Sequence, residues 1–331
     1  MVQINGQEIG PIGYGLMGLT WRAKPAPEEQ AFEAMRAALQ NDNNFWNAGE
    51  FYGKPEYNSM TLLERYFAKY PEDADKVVVS WKGGVNVQNL HPDGSPEGIR
   101  RSLDNIITKL KGRKKIDIFE CARRDANTPL EVTFGVIQKE YIDTGKVGGL
   151  CLSEVSAATI QEAVKHAKIV GVEVELSLFS TDVLSNGIAA ACAEHNIPLI
   201  AYSPIGRGLL TGEIKKFEDL PEGDFRRNMP RFQPENFNIN LKLVKQVEEL
   251  AAKKGVTPAQ LAIGWTLAIS KKPGMPVVIP IPGATTAERV NENAKAAAVE
   301  FTDGELAEID ATLAKFEVAG GRYPAGAPIN T

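Results

Sequence analysis

The chain is poor in the residues that build metal centres and disulfide frameworks. Its 331 residues include three cysteines and three histidines, with no CxxC pair and no HExxH motif. Three cysteines cannot all pair with one another, and these residues form no pattern typical of a metal site. We therefore expect a protein of a reducing compartment, the cytoplasm or the nucleus, that binds no metal.

The sequence also lacks a basic excess and a long apolar run. Its formal net charge is −5, whereas a nucleic-acid-binding surface requires clustered positive charge. No stretch approaches the roughly 20 apolar residues of a membrane span, and the first residues, MVQINGQEIGPIGYG, do not have the layout of a signal peptide. Hydrophobic residues make up 43% and charged residues 24%, which are globular values. We expect a globular protein without nucleic-acid or membrane partners.

Short apolar runs alternate with segments of helical periodicity. In the segment 96–110, for example, Ile99, Leu103, Ile106 and Leu110 recur at three- and four-residue steps. Such alternation is typical of parallel strands with helices outside them, and eight units favour a closed (β/α)₈ barrel. The predicted strands are 12–15, 45–48, 77–81, 116–121, 149–152, 172–176, 198–202 and 277–280, and the helices between them are 28–39, 61–67, 96–110, 130–142, 156–169 and 186–194.

Three further features add to this regular pattern. Residues 2–10 predict a β-hairpin with Asn5 and Gly6 as a two-residue turn. A long loop at 203–239 precedes two helices at 240–254 and 257–270, and the sequence TDGE begins a final helix at 302–316 with a capping box. No low-complexity linker interrupts the chain. We therefore expect residues 1–331 to form a single domain, a TIM barrel with an N-terminal hairpin and two extra helices.

Two side chains at predicted strand ends have the chemistry of an acid catalyst. Active sites of such barrels are built from the strand ends and the loops that follow them. Lys82 ends the strand VVVSWK, and Tyr52 follows the strand in NAGEFYG. Taken alone, each favours an ordinary role, as a solvated lysine or a packing tyrosine. Together they fit one mechanism, because an ammonium group lowers the pKa of a neighbouring phenol, which can then protonate a forming alkoxide.

A second candidate site lies at the start of the last barrel helix. The segment VVIPIPGATTAERVNEN runs from a strand into a helix and contains Gly283, Thr285, Thr286, Arg289 and Asn293. Free backbone N–H groups at a helix start can bind a phosphate, and the guanidinium group of Arg289 can donate two further hydrogen bonds to it. An ordinary turn with a surface arginine explains the same residues equally well, so both interpretations stay open.

The ordered set of motifs resembles the aldo-keto reductase family. The resemblance implies a (β/α)₈ barrel that reduces carbonyl groups with NADPH. It spans about residues 8–300, nearly the whole chain. The matching segments are the hairpin followed by GYGLMGLTW, FWNAGEFYG, VVVSWKGG, KKIDIFECARRD, GKVGGLCLSE, VELSLFS, AYSPIGRGLLTG and VVIPIPGATTAERVNEN.

The resemblance assigns three catalytic residues and also reveals two departures from the family. Tyr52 matches the acid tyrosine and Lys82 the lysine, whereas Asn47 stands at the usual aspartate position and Ala122 at the usual histidine position. Lys82 would then lack its carboxylate, unless Glu50 or another acid takes that place. The segments WNAGEFYG and FECARRD resemble the pyridoxal reductase branch, which reduces pyridoxal to pyridoxine with NADPH.

The resemblance also implies a binding site for NADPH or NADP+. Tyr202 matches the residue that stacks on the nicotinamide ring, and Ser153 matches the serine that hydrogen-bonds its carboxamide, beside Glu173 in place of the usual glutamine. Gly283 replaces a basic residue that helps many members hold the 2′-phosphate, which leaves Arg289 for this role. The other matching residues are Ser203, Ile205 and Gly206 at the pyrophosphate and Thr285, Thr286 and Asn293 at the adenosine.

Three functions fit these observations. The favoured one is an NADPH-dependent carbonyl reductase that acts on a small aldehyde, with Tyr52 as proton donor and pyridoxal as the expected substrate. The second is a non-catalytic NADPH-binding barrel that senses redox state, because Asn47 and Ala122 replace two catalytic residues. The third is a Schiff-base lyase or aldolase that uses Lys82. We expect a monomer or a weak homo-oligomer.

Overall fold

Eight parallel strands pair in the order in which they follow along the chain. The computed structural model, which describes residues 2–331, contains twelve strands, of which β3, β4 and β7–β12 form this sheet. A bridge between Gly15 and Gly283 and a hydrogen bond from Gly13 N to Pro280 O, at 2.9 Å, join its two edges and close the barrel. The strands are β1 (Val2–Ile4), β2 (Gln7–Ile9), β3 (Tyr14–Gly15), β4 (Phe45–Gly49), β5 (Gly53–Lys54), β6 (Tyr57–Asn58), β7 (Val78–Gly83), β8 (Ile118–Cys121), β9 (Leu150–Ser153), β10 (Ile169–Glu175), β11 (Leu199–Tyr202) and β12 (Val278–Ile281).

Helices surround the barrel, and their apolar faces pack on the outside of the sheet. In the described range 2–331, no helix is long and apolar enough to cross a membrane. The helices are α1 (Met17–Thr20), α2 (Glu28–Gln40), α3 (Ser59–Lys69), α4 (Pro96–Leu110), α5 (Leu130–Val136), α6 (Ala157–Ala163), α7 (Ile188–Glu194), α8 (Pro234–Lys254), α9 (Pro258–Ile269), α10 (Ala287–Ala294) and α11 (Asp303–Ala314), with a π-helical turn at Ile137–Ile142.

The predicted hairpin closes the amino end of the barrel. Asn5 and Gly6 both adopt positive φ angles, 49° and 76°, as a two-residue hairpin turn of this type requires. Ile4 and Ile9 are buried in one apolar cluster with inward-facing barrel residues such as Phe45. This end of the barrel interior is therefore filled with apolar side chains.

The predicted helices agree with the structure to within two residues at either end, with three exceptions. The helix predicted at 156–169 ends at Ala163, because Ile169 and Val170 begin β10 and are buried in the sheet. The helix predicted at 240–254 begins at Pro234, a residue whose missing N–H is tolerated in a first turn. The helix predicted at 130–142 changes to π-helical geometry at Ile137.

Candidate active site

A buried polar cluster lies inside the barrel where β4, β7, β8 and β10 approach their carboxyl ends. Lys82 Nζ donates to Glu120 Oε1 at 3.1 Å, to Asn47 Oδ1 at 3.4 Å and also to Glu173. Asn47 Nδ2 donates to Glu120 Oε1 at 3.0 Å and to Glu173 Oε2 at 2.6 Å. None of these four side chains is more than 6% exposed. Lys82 is therefore a buried, doubly paired ammonium group, and the interpretation as a solvated lysine is wrong.

The sequence left open which acid pairs with Lys82 in place of the usual aspartate. Glu50 accepts hydrogen bonds from Arg101, Ser102 and Asn105, at 2.5–2.9 Å, and thereby ties α4 to the end of β4. Its carboxylate is saturated by these donors. Glu120, which sequence reasoning did not select, and Glu173 supply the negative charge instead.

Burial and charge act in opposite directions on the two titrating groups of this site. Burial alone would lower the pKa of Lys82, but the carboxylates of Glu120 and Glu173 more than offset it and hold that pKa above its usual value. Burial raises the pKa of Tyr52 above its usual value, while the Lys82 ammonium lowers it. The net direction for Tyr52 is opposite to the sequence expectation, because desolvation of the phenol outweighs the effect of Lys82.

Tyr52 is held beside this cluster by aromatic and backbone packing. Gly49 permits the close approach of its ring, since a Cβ at that position would lie 2.8 Å from the Tyr52 ring atoms. Trp21 packs on the same ring at a centroid distance of 5.6 Å, and Phe51 packs edge-on at 5.1 Å. A cleft of about 290 Å³ lies between Trp21 and Phe225. Tyr52 itself is buried, whereas Trp21, which packs on its ring, and Gly53, which follows it in the chain, line the cleft.

Ala122, at the position where the family has a histidine, contributes no side-chain donor. Its N–H donates to Gly83 O at 2.9 Å, and its carbonyl oxygen accepts from Arg123 Nη1 at 2.5 Å. The side chain is buried. A carbonyl substrate therefore receives no hydrogen bond from this position.

The residues predicted to hold the nicotinamide have different surroundings. The Ser153 hydroxyl is buried and has no hydrogen-bond partner within residues 2–331, so it is available to a carboxamide. Both oxygens of Glu173 are held by Lys82 and Asn47, and Glu173 belongs to the buried cluster. The Tyr202 hydroxyl donates to Glu154 Oε1 at 2.7 Å and lies 2.9 Å from the Tyr323 hydroxyl.

The loop after β11 makes a tight turn at the predicted pyrophosphate site. Ser203 and Gly206 have positive φ angles of 52° and 58°, and Gly206 N donates to Ser203 O at 2.8 Å. Ile205 lies between them and packs against the main hydrophobic core. A Cβ on Gly206 would lie 3.0 Å from Phe179, so this turn favours glycine for its space as well as for its φ angle.

The predicted adenosine site lies at the start of α10. Thr286 caps this helix, accepting from Arg289 N at 3.3 Å, and Thr285 O accepts from Gln30 at 2.7 Å. Asn293 is buried on the same helix. The half-exposed Arg289 guanidinium donates to Glu292 Oε2 at 2.6 Å and pairs with Glu213 from the loop after β11. These ion pairs are compatible with an arginine that binds phosphate and with an ordinary surface arginine, so both interpretations stay open.

The C-terminal segment 315–331 contributes residues that sequence reasoning missed. Arg322 donates to both oxygens of the fully buried Glu154, at 3.0 and 3.2 Å, and thereby docks the segment on the end of β9. Tyr323 consequently lies against Tyr202, with the Arg207 guanidinium 4.5 Å from its ring centroid. The segment covers part of the carboxyl end of the barrel, next to the predicted nicotinamide site.

Comparison with known proteins identifies the family. The model of the Aldo/keto reductase family matches residues 11–314, nearly the whole chain. The chain belongs to the aldo-keto reductase family. Members are oxidoreductases that use NAD(P)H on small carbonyl compounds, and this activity class applies to the chain.

Two curated relatives are similar to this aldo-keto reductase over almost their full lengths. The "Probable pyridoxal reductase 2" of Schizosaccharomyces pombe is 44% identical over 325 residues, which cover 97% of this chain and 96% of that protein. The "Putative pyridoxal reductase" of Saccharomyces cerevisiae is 42% identical over 331 residues, which cover 94% and 95%. The resemblance to the pyridoxal reductase branch is thus confirmed.

A solved structure of the family confirms the barrel. The glycerol dehydrogenase of Gluconobacter oxydans superimposes with a TM-score of 0.82 at 25% identity, covering 95% of each chain. A thermostable aldo-keto reductase superimposes with a TM-score of 0.70 at 21% identity, a likeness that concerns the fold alone. The predicted (β/α)₈ architecture is correct.

Proposed function

We propose that this aldo-keto reductase reduces pyridoxal to pyridoxine with NADPH. The observation that supports this most directly is the buried cluster, which keeps Lys82 charged at the side of Tyr52 although the usual aspartate is absent. The alternative of a non-catalytic sensor rests on the replacement of two catalytic residues by Asn47 and Ala122. The first replacement does not support this alternative, because Glu120 and Glu173 supply the negative charge that Asn47 lacks.

In this proposal Tyr52 donates a proton to the carbonyl oxygen as the alkoxide forms. Lys82 stabilises the resulting phenolate by its charge, which favours the transition state over the bound aldehyde. Asn47 fixes the ammonium and both carboxylates in one geometry, since its amide hydrogen-bonds all three groups. NADPH supplies the hydride when it is bound.

The residues of the chain fit this cofactor at two points. The unpartnered Ser153 hydroxyl offers a donor and an acceptor to a carboxamide. Tyr202 ends β11, two strands away, and its hydroxyl donates to Glu154, the residue that follows Ser153. At the other end, we propose that Arg289 takes the 2′-phosphate, assisted by the N-terminus of α10. Glu173 stays with Lys82 and does not bind the carboxamide.

The buried Ala122 supports pyridoxal among the small aldehydes. No hydrogen bond from its side chain can orient the carbonyl oxygen of a substrate. Pyridoxal has a hydroxyl group next to its aldehyde, and this hydroxyl can donate to the carbonyl oxygen within the substrate itself. An aldehyde with an internal donor therefore depends less than other aldehydes on a hydrogen bond from the protein to its carbonyl oxygen.

An aldehyde panel with both cofactors tests the proposal. Pyridoxal, pyridoxal 5′-phosphate and nitrobenzaldehyde are each assayed by the loss of NADPH or NADH absorbance. We expect kcat/KM to be highest for pyridoxal with NADPH. Protein that binds NADPH, seen as quenching of its fluorescence, but turns over none of the aldehydes would instead favour the sensor.

A further inference from the structure

The buried cluster contains one cation and two carboxyl groups. Lys82 is positively charged, Asn47 and the neighbouring Ser80 are neutral, and Glu120 and Glu173 are both almost completely buried. With both carboxyl groups ionised, the cluster would have a net charge of −1 inside the barrel. An uncompensated charge in such a place is strongly unfavourable, and the usual outcome is uptake of a proton.

One oxygen of the cluster is free to hold that proton. Glu120 Oε1 accepts from Lys82, Asn47 and Ser80, at 3.0–3.2 Å. Glu120 Oε2 is buried and has no hydrogen-bond partner among residues 2–331. Lys82 Nζ and Asn47 Nδ2 each contact both carboxyl groups, so Glu173 and Glu120 lie side by side. A bare ionised oxygen would be costly here, whereas a proton held by the pair satisfies this oxygen and leaves one negative charge to balance Lys82.

We propose that Glu120 and Glu173 share one proton in the resting enzyme and, acting through Lys82, set how readily Tyr52 gives up its own proton. When the pair holds its proton, one negative charge balances Lys82. When the pair ionises, it releases that proton to water, and two carboxylates then face one ammonium. The extra negative charge opposes formation of the Tyr52 phenolate, so Tyr52 becomes a poorer acid. Both glutamates are positioning residues.

The titration of the surrounding groups supports this proposal. Burial, followed by the charge of Glu120, raises the pKa of Glu173 to about 8, and Lys82 acts in the opposite direction. Cys151 on β9 faces the same pair, but burial holds its pKa well above the usual value, so it stays neutral. The remaining titratable neighbour is Tyr52, whose pKa is raised by burial and by both carboxylates and lowered by Lys82. The pair is therefore the group expected to ionise first as the pH rises.

A pH profile of two isosteric variants provides the kinetic test. Wild-type reductase kcat should fall as the pH rises through about 8, where Tyr52 becomes a poorer acid. In Glu120→Gln and in Glu173→Gln a single carboxylate faces Lys82 at every pH, so this fall should disappear or move up by about one unit or more. Cys151→Ala serves as the matched control and should keep the wild-type profile. The proposal is overturned if both glutamine variants retain the wild-type fall, or if Cys151→Ala removes it.

Infrared difference spectroscopy on the protein without substrate tests the shared proton independently of activity. A protonated carboxyl group has a C=O stretching band that a carboxylate lacks. We expect this band in the wild-type protein at pH 7 and its disappearance at about pH 9, one unit above the pKa of the pair. In Glu120→Gln and in Glu173→Gln the band should be absent at both pH values.

The two measurements can fail independently of each other, because only the kinetic test rests on the proposed reductase function. A wild-type protein that reduces aldehydes but shows no such band would overturn the shared proton and leave the reductase function intact. A protein that shows the band but reduces no aldehyde would support the shared proton. It would overturn both the catalytic effect of that proton and the proposed function.

Discussion

Lys82 and Glu120 form an ion pair of 3.1 Å inside the barrel, and the Glu120 carboxylate is fully buried. The two residues lie opposite each other in the ladder of β7 and β8. The family's aspartate would stand on β4, at Asn47. In this chain the carboxylate that pairs with Lys82 lies instead on β8, the other neighbour of β7, and an amide stands at the aspartate position. Glu120 thus keeps Lys82 charged. Glu173, on β10, places a second carboxyl group against the same ammonium.

Removal of the cation should destabilise the fold. Lys82→Met leaves Glu120 and Glu173 buried without a counter-ion, and breaking a buried pair in this way lowers the free energy of unfolding by roughly 3–5 kcal/mol. Urea denaturation at pH 7 measures the change. Lys272→Met is the control, because Lys272 pairs with Asp310 on the surface, where such pairs contribute about 1 kcal/mol or less. Equal losses in the two variants would contradict the buried pairing.

Lys82 should not form a Schiff base with an aldehyde. The two carboxylates hold its pKa above the usual value, so the ammonium has no lone pair for attack. After treatment with pyridoxal and borohydride, peptide mapping should find adducts on exposed lysines such as Lys245 and none on Lys82. A reduced imine on Lys82 would favour the lyase or aldolase mechanism.

Arg289 should discriminate NADPH from NADH. Charged hydrogen bonds contribute roughly 1.5–3 kcal/mol each, so Arg289→Ala is expected to weaken NADPH binding about tenfold to a hundredfold and to leave NADH binding unchanged. Fluorescence titration with each cofactor measures both effects. Equal losses for both cofactors would mean that Arg289 only supports the turn.

Glu213→Gln offers the converse experiment on the same guanidinium group. The Glu213 carboxylate holds Arg289 and competes with a 2′-phosphate for it. Its neutralisation should strengthen NADPH binding without affecting NADH. Unchanged NADPH affinity would show that the phosphate does not compete for this arginine.

Arg322 should anchor the C-terminal segment through Glu154. Arg322→Met removes both hydrogen bonds to a buried carboxylate, and we expect easier proteolysis after residue 315 and a lower free energy of unfolding. The Arg322 guanidinium and neighbouring charges hold the pKa of Glu154 below its usual value, although burial alone would raise it. The stabilisation is therefore present above the ordinary carboxyl pKa and is lost as the pH falls below about 4.

Tyr323→Phe is the control for this variant, since it removes a hydroxyl group and keeps the ion pair. It should remain as resistant to proteolysis as wild type. If Arg322→Met and wild type were equally stable at pH 7, Glu154 would not anchor the segment.

The sequence predicted those parts of the site that follow local patterns. Asn47, Tyr52 and Lys82 stand at or just after strand ends, where a barrel places its chemistry, and regular βα alternation indicated the barrel itself. Glu120 was missed although a signal was present. It interrupts the apolar run of β8, and a glutamate inside a strand buried on both faces requires a buried partner.

The contribution of Arg322 and Tyr323 could not be predicted from local patterns. Arg322 contacts Glu154 across 168 residues of sequence, in a segment without strand or helix. Only the folded chain brings these two charges together. The role of Glu173 was also assigned differently, because its position in the motif pointed to the cofactor whereas its charge pairs it with Lys82.

The most direct test of the proposed catalysis is the turnover of Tyr52→Phe with pyridoxal and NADPH. Loss of the phenol proton should lower kcat by about 10² or more, the range expected for a general acid, while NADPH binding remains almost unchanged. The change deletes one hydroxyl group and keeps the ring that packs on Trp21, so the fold should be retained. Near-normal turnover in this variant would remove Tyr52 from the role of proton donor and contradict the mechanism.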